Sequence, residues 1–241
     1  MYMELFSPHN SLIKHFCLLR DDKSYRQERG SFLIEGRKML EEALARLPVK
    51  MVLATHKEFL PPGVEGKLIT ESLFKKVTGY VSPEGVLAEI GFSPQKALVN
   101  ERYLLVLDNV QDPGNVGALI RAALALGWEA VILVGNCADP YGSKAISASK
   151  GAIFRLPIIS MTPSALQKYC QDKIPLIAAD VKGEPFSKKG PCALILGNEG
   201  HGLSPAIEAL HPYKVTIPLK GDMESLNVAL AGSILLYGLI G

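Results

Sequence analysis

The hydrophobic pattern changes character part-way along the chain. In residues 1–95, short apolar segments alternate with amphipathic ones, which predicts a small α/β unit. Its predicted strands are residues 31–35, 50–54 and 86–90, and its predicted helices are residues 36–47 and 72–77. Beyond residue 102 the apolar runs are continuous, which is typical of parallel strands covered on both faces. These runs are residues 103–107, 130–134, 176–179 and 193–196, with helices predicted at 116–126, 143–149, 163–171 and 203–210.

The two patterns meet at a polar stretch, Ser93 to Ala97, which contains a proline and continues neither periodicity. We therefore expect a first α/β domain over residues 1–95, a linker over 96–102 and a second domain over 103–241. Bulk charge does not distinguish the two parts. The net charge is +2, and residues 1–95 and 96–241 each hold 13 Lys+Arg against 12 Asp+Glu. Binding of a nucleic acid would therefore need a local basic patch.

Composition excludes several other classes of protein. The four cysteines are far apart and the five histidines lack an H-x-x-x-H spacing, so neither a disulfide framework nor a catalytic metal is expected. No run of about 18 apolar residues predicts a membrane span. The first nine residues lack the layout of a signal peptide. These observations favour a cytoplasmic protein.

The end of the chain carries a strand, a polar loop and a helix in succession. Residues 213–217 alternate like a strand, and the loop that follows reads IPLKGDMESLN over residues 217–227. A helix is predicted over residues 226–239, because Leu226, Leu230, Ile234 and Tyr237 recur every three to four residues. Ser225 is the predicted N-cap, since a serine hydroxyl accepts the free N–H groups of a first turn.

Two earlier stretches accompany this loop. They are LDNVQDPGNVGALIR at residues 107–121 and LILGNEGHGLS at residues 194–204. In order and spacing the three stretches resemble the signature motifs of the SpoU (TrmH-type) RNA 2′-O-ribose methyltransferases of the SPOUT superfamily. The resemblance covers residues 103–241. The first domain, above all FLIEG at residues 32–36 with the helix after it, resembles the small substrate-binding domain of such enzymes.

The resemblance implies a fold, a cofactor and a set of site residues. The second domain should be an α/β knot that binds S-adenosylmethionine and forms a homodimer, to which the apolar helix 226–239 would contribute. The positions that match the family's cofactor contacts, with two neighbours, are Leu196, Gly197, Ile217, Leu219 and Leu226. The positions that match the polar residues around the transfer site are Asn115, Arg121, Glu199, Ser225 and Asn227.

Arg121 matches the family's catalytic arginine. It lies one helical turn from Gly117 and therefore on the same predicted helix face. A free arginine is a poor general base, because lowering the pKa of a guanidinium from its strongly basic ordinary value to near neutral requires roughly 9 kcal/mol. A fixed cation that stabilises a developing alkoxide, or that grips the adjacent phosphate, is the favoured role. The base itself is left unassigned.

The predicted substrate is structured RNA, with ribosomal RNA preferred to tRNA because a small N-terminal domain of this kind is commoner on ribosomal RNA enzymes. A catalytically silent RNA-binding protein is the principal alternative, although such a module would not need the full polar set. A Rossmann dehydrogenase is a third hypothesis. The glycine order at residues 197–202 is G-x-x-G-x-G rather than the G-x-G-x-x-G of a dinucleotide site, which disfavours it. The basic side chains proposed to contact RNA phosphates are Lys14, Arg20, Lys23, Arg26 and Arg29, for which a solvated, salt-bridged helix is the alternative.

Overall fold

The computed structural model describes residues 4–5, 7, 9–92, 98–171, 173–186, 190–221 and 223–240. The chain divides into two compact units, residues 1–94 with 141–146, and residues 95–140 with 147–241. The predicted boundary stretch, residues 93–97, and the first two residues of the predicted linker lie outside the described residues. Among the described residues, no helix is both long and apolar enough to cross a membrane.

The small unit is a five-stranded mixed sheet with helices. Its elements are β1 (Glu4–Leu5), α1 (Ser11–Asp21), α2 (Lys23–Arg29), β2 (Ser31–Glu35), α3 (Arg37–Leu44), β3 (Val49–Ala54), β4 (Gly66–Ile69), α4 (Glu71–Thr78) and β5 (Val86–Gly91). The strand order is β1-β4-β3-β5-β2, with β5 antiparallel to both β2 and β3. The core includes Ile13 and Phe16 of α1 and Phe74 of α4, all fully buried.

Residues 10–30, for which a solvated, salt-bridged helix was the alternative to an RNA-contacting surface, form two helices. Asp22 separates them, because its backbone is extended and its carboxylate accepts the N–H groups of Ser24 and Tyr25 at 2.8 and 3.1 Å. Such a cap starts a new helix where the first one stops. Helix α4 ends at Gly79, which is its C-cap in the left-handed conformation that glycine adopts without strain.

The large unit is built on a six-stranded, fully parallel sheet of order β11-β9-β10-β6-β7-β8. Its elements are β6 (Tyr103–Asp108), α5 (Pro113–Ala125), β7 (Ala130–Val134), β8 (Ile158–Ser160), α7 (Pro163–Cys170), β9 (Leu176–Pro185), β10 (Cys192–Leu196), α8 (Pro205–Glu208), β11 (Tyr213–Thr216) and α9 (Val228–Leu239). Helix α6 (Ser143–Ser149) follows β7 in the chain and begins within residues 141–146, which belong to the small unit. Every residue of β7 and β10 is buried, which confirms the prediction of strands covered on both faces.

Helix α9 begins later than predicted and has a different cap. Asn227, not Ser225, is the N-cap, because its side-chain oxygen accepts from the N–H groups of Ala229 and Leu230 at 2.9 and 3.3 Å. Ser225 is exposed in the preceding loop. The prediction failed because both residue types are good caps. Only the chain path decides between them.

The buried face of α9 does not carry Leu230, Ile234 and Tyr237, whose spacing predicted the helix and which are exposed. Its inward residues include Gly232, Leu235 and Leu236, and it packs against α5. A Cβ at Gly232 would overlap side-chain atoms of Leu119 and Leu196, so glycine allows this close approach. The indole N–H of Trp128 donates to the carbonyl of Leu236 at 3.1 Å and ties the helix to the loop after α5.

Candidate active site

Three loops leave the same edge of the parallel sheet. Because all six strands run in one direction, the segments after β6, β10 and β11 emerge together at the carboxyl edge, where α/β sheets bind ligands. These segments are residues 109–112, 197–204 and 217–227. They correspond to the three stretches of sequence on which the methyltransferase resemblance rests.

The first loop leads into α5 through a side-chain cap. The carboxylate of Asp112 accepts the N–H of Asn115 at 2.8 Å, and Pro113 occupies the first turn, where no N–H is required. Val116 and Ile120 of α5 are fully buried. The cap leaves the side chain of Asn115 free to point away from the helix start and contact the other loops.

Two residues outside the predicted site, Asp108 and Asn198, hold the first and second loops together. Asp108 is fully buried at the end of β6, and its carboxylate accepts the Ser204 N–H at 2.6 Å and the Asn109 side-chain N–H at 2.7 Å. The amide of Asn198 donates to the carbonyl of Asn109 at 2.9 Å. An acidic residue that ends a solidly apolar strand was the available signal, because a buried carboxylate requires partners.

The second loop closes tightly on itself. Asn198 and Gly202 exchange both backbone hydrogen bonds, at 2.8 and 2.9 Å, and the Asn198 side chain also accepts from the N–H groups of Gly200 and His201. A Cβ at Gly197 would lie 2.5 Å from backbone atoms of Gly202, so no larger residue fits there without movement. Glu199, inside this closed loop, is exposed.

A chain of amide and carboxylate contacts joins all three loops. The Asn115 side-chain N–H donates to Glu199 Oε1 at 2.9 Å, and the Asn227 side-chain N–H donates to Asn115 Oδ1 at 3.2 Å. We call these three residues the carboxyl-edge triad. Glu199 and Asn227 are exposed and Asn115 is half-buried, so solvent or a ligand can reach the triad. Residues 84 and 112 positions apart in sequence thus meet in one network.

Arg121 lies on the same helix as Asn115 but is not part of the triad. It is exposed, six residues after Asn115, and therefore about 9 Å further along the axis of α5. Gly117, expected beside it on an open face, is buried. Within the part of the chain that the structure describes, the Arg121 guanidinium has neither an ion pair nor a hydrogen bond, so its charge is available to a ligand.

The residues predicted to hold the cofactor lie on the second and third loops. Leu196 is 1% exposed and ends β10, whereas Gly197, Ile217 and Leu226 are half-buried. Leu219 is 38% exposed and leaves apolar surface uncovered in an otherwise polar loop. Backbone groups at a strand end beside uncovered apolar side chains fit an adenosyl group, whose base is flat and whose edges form hydrogen bonds.

A thiol and a histidine lie beside these loops. Burial raises the pKa of the Cys137 thiol, which donates to the carbonyls of Leu107 and Val134 beside the first loop, so it is no nucleophile at neutral pH. In the described ranges, no three His, Cys, Asp or Glu side chains are grouped to bind a metal ion. His201 is exposed, and its ring nitrogen Nδ1 is 3.0 Å from Asn198 Oδ1.

The five basic residues proposed to contact RNA separate into two groups. Lys14, Lys23 and Arg29 are exposed, as phosphate contacts require. Arg26 is only 5% exposed and donates to the carbonyls of Leu19 and Arg20 at 2.6 and 2.8 Å, which differs from the exposed position expected of it. Its guanidinium binds carbonyl groups in the last turn of α1. We therefore leave Arg26 out of the proposed RNA contacts.

Arg20 is half-buried and also has a structural use. Its guanidinium donates to the carbonyls of Lys76 and Val77 at 2.7 and 3.0 Å, at the end of α4, and pairs with Asp21 at 2.6 Å. Pairing with Asp21 raises the pKa of Arg20 and lowers that of Asp21. A guanidinium that donates four hydrogen bonds to three residues has little remaining capacity for a phosphate.

Comparisons with known proteins agree with this geometry. The model of the SpoU rRNA Methylase family matches residues 102–237, and the model of the MRM3-like substrate binding domain matches residues 10–88. The chain belongs to the SpoU rRNA methylase family. It is 32% identical, over 99% of both chains, to the 23S rRNA (guanosine(2553)-2'-O)-methyltransferase RlmP of Bacillus subtilis.

Solved structures of the same family match both units. The SpoU methyltransferase AviRb of Streptomyces viridochromogenes, in complex with AdoMet, is 26% identical with a TM-score of 0.82, over 95% of this chain and 97% of that one. The AdoMet-bound rRNA methyltransferase of Sinorhizobium meliloti is 27% identical with a TM-score of 0.86, over 98% and 97%. The predicted family and α/β fold class are thereby confirmed, while the roles of the individual site residues stay predictions.

Proposed function

We propose that this protein transfers a methyl group from S-adenosylmethionine to a ribose 2′-hydroxyl of ribosomal RNA. Membership of the SpoU rRNA methylase family and full-length similarity to a 23S rRNA 2′-O-methyltransferase support the reaction and the substrate class. The observation that carries the proposal is the carboxyl-edge triad of Asn115, Glu199 and Asn227. It links three loops at the sheet edge where a donor and a ribose would have to meet.

The donor would be held by the second and third loops. Backbone groups at Leu196, Gly197 and Ile217 would bind the edges of its adenine, and the side chains of Leu219 and Leu226 would close around the ring. The chemistry that S-adenosylmethionine supplies when bound is an electrophilic methyl group on a sulfonium. Gly197 is essential to this arrangement because any Cβ there would push the loop away from the strand end.

Arg121 would act on the nucleophile as a fixed cation. It is exposed on α5 and keeps its charge available, so it would stabilise negative charge as the ribose hydroxyl loses its proton, or grip the neighbouring phosphate. In this role the guanidinium stays protonated throughout the reaction. The proton acceptor stays unassigned.

The triad and Ser225 would orient the ribose. The carboxylate of Glu199 is already held by the Asn115 amide, which leaves its second oxygen able to accept from a hydroxyl. Asn227 uses its oxygen to cap α9 and one N–H on Asn115, which fixes its second N–H in direction. Ser225 is exposed two residues earlier in the same loop and offers a hydroxyl that can rotate toward the ligand.

A homodimer and a knotted chain path belong to the same proposal. Helix α9 presents Leu230, Ile234 and Tyr237 to solvent with 60%, 43% and 72% exposure. Three large apolar side chains on one outer helix face suit burial against a second copy. Leu230→Glu should then convert a dimer to a monomer in light scattering, whereas a wild-type monomer at micromolar concentration would contradict the proposal.

Action on ribosomal RNA would place the protein in the cytoplasm.

The reaction itself can be tested with purified protein and radiolabelled donor. Unmodified ribosomal RNA should accept label, and mapping should place it on a ribose 2′-oxygen that is unmodified in cells lacking the gene. Transfer to tRNA transcripts but not to ribosomal RNA would show that the substrate is tRNA. Binding of RNA and donor without any transfer would make the protein the silent binding module considered above.

A further inference from the structure

The small unit contains a polar cluster that the proposed methyl transfer does not use. At its centre is Glu89 of β5, which is 7% exposed. A carboxylate at this depth is stable only with several hydrogen-bond or charge partners. We call it and its neighbours the Glu89 cluster, whose members are His15, Tyr25, Arg29, Ser31, Lys50 and Glu89.

The contacts of the cluster form a closed circuit. Glu89 Oε1 accepts from the Ser31 hydroxyl at 2.6 Å and lies 3.9 Å from Lys50 Nζ. Lys50 Nζ in turn donates to the carbonyl of Arg29 at 3.0 Å. The Arg29 guanidinium carbon lies 5.0 Å from the centroid of the Tyr25 ring, a cation–π contact. The backbone end of α2 and the strand β3 are thereby fixed to one buried anion.

His15 completes the circuit and sets the direction of its hydrogen bonds. Its Nε2 is 3.0 Å from Glu89 Oε2, and its Nδ1 is 2.8 Å from the Tyr25 hydroxyl. An ionised Glu89 only accepts, so in neutral His15 the proton is on Nε2 and Nδ1 accepts from Tyr25. The Tyr25 ring is therefore locked in place below the Arg29 guanidinium.

Two cations of the cluster face solvent. Lys50 has a side-chain exposure of 42% and Arg29 is exposed, while the single anion is buried beneath them. Within the described chain, the Arg29 guanidinium has no carboxylate partner. A flat guanidinium supported by an aromatic ring, with an ammonium group beside its helix end, matches the way proteins bind unpaired nucleotides. Bases stack on arginine planes and phosphates pair with lysine.

From this geometry we infer that Arg29, Lys50 and Tyr25 form a preorganised platform for an unpaired nucleotide of the RNA substrate. The base stacks on the outer face of the Arg29 guanidinium, and Lys50 neutralises the adjoining phosphate. Glu89 and His15 are positioning residues that hold the platform in its binding geometry. The inference rests on the proposed function only in naming RNA as the substrate.

Binding by the full-length protein tests the platform without methyl transfer. The probe is an unstructured, fluorescein-labelled RNA of about 12 nucleotides, followed by anisotropy between about 50 and 200 mM salt. Arg29→Ala and Lys50→Ala should each raise Kd about five-fold or more. Only Lys50→Ala should also reduce the salt slope, by about 0.7, because Lys50 is the residue that neutralises a phosphate. Arg29→Lys keeps the charge but loses the plane, so Kd should rise while the slope stays unchanged.

Arg37→Ala is the matched control, because it removes an exposed cation of the same unit that already pairs with Glu41 at 3.4 Å. Unchanged melting temperatures would confirm that every variant folds. If Arg29→Ala and Lys50→Ala bind RNA like Arg37→Ala, the platform is wrong. If their affinities fall as expected but the wild-type protein methylates no RNA, the proposed function fails and the platform stands.

Discussion

The carboxyl-edge triad and the Glu89 cluster are two polar networks with opposite physical designs. The triad joins side chains that are exposed or half-buried, so water can replace each contact at little cost. The Glu89 cluster is organised by a carboxylate that is 7% exposed, whose partners cannot be replaced by water without rearrangement. The comparison indicates that the first network can exchange partners when a ligand binds, whereas the second maintains a surface in a fixed geometry.

The largest expected effect is on catalysis. Arg121→Ala should lower the rate of methyl transfer about 10²–10³-fold, because one fixed group that stabilises developing charge is removed. Its side chain is exposed, so the melting temperature should not change. Single-turnover assays at saturating donor and RNA measure the rate. Partial activity of Arg121→Lys would favour a charge role over bidentate phosphate binding, and wild-type turnover in Arg121→Ala would remove the residue from the active site.

Removing the carboxylate of Glu89 should lower the stability of the protein much more than removing that of Glu199. Glu89→Ala leaves Ser31 and His15 without their shared acceptor, so the free energy of unfolding should fall by about 2 kcal/mol or more. Glu199→Ala exposes the Asn115 amide to water and should change it by within about 0.5 kcal/mol. Urea denaturation measures both. Equal losses in the two variants would contradict the contrast drawn between the networks.

Donor binding should depend on the shape of the second loop rather than on its glycine content. Gly197→Ala places a Cβ 2.5 Å from the backbone of Gly202 and should weaken binding of S-adenosylmethionine about ten-fold or more, since about 1.4 kcal/mol of distortion suffices. Gly200→Ala is the control, because its Cβ would meet only a side-chain atom, at 3.7 Å. Calorimetry on both variants decides the point. Loss of affinity in Gly200→Ala alone would reverse the assignment.

The smallest effect concerns the cap of α9. Asn227→Ala removes two side-chain hydrogen bonds to the first turn and should cost about 1 kcal/mol, or about 2–4 °C in melting temperature. Ser225→Ala should leave the melting temperature unchanged, because Ser225 is not the cap. A larger loss of melting temperature in Ser225→Ala than in Asn227→Ala would show that Ser225 is the N-cap, as predicted from the sequence.

The sequence by itself determined the family, the fold class and most elements. Continuous apolar runs predicted the buried parallel strands, because burial on both faces leaves no room for polar residues. The helix predicted over residues 163–171 corresponds to α7, and the Thr162 hydroxyl caps it by accepting the Ala165 N–H at 3.2 Å. These features are local, and each depends on residues within a few positions of one another.

Tertiary structure alone decided what depends on distant segments. Whether Ser225 or Asn227 caps α9 follows from the path of the loop after β11, and the buried use of Arg26 follows from the position of the end of α1. The triad joins residues 84 and 112 positions apart, and the Glu89 cluster spans 74 positions between His15 and Glu89. No local periodicity encodes such pairings, because they exist only after the sheets have aligned their strand ends and faces.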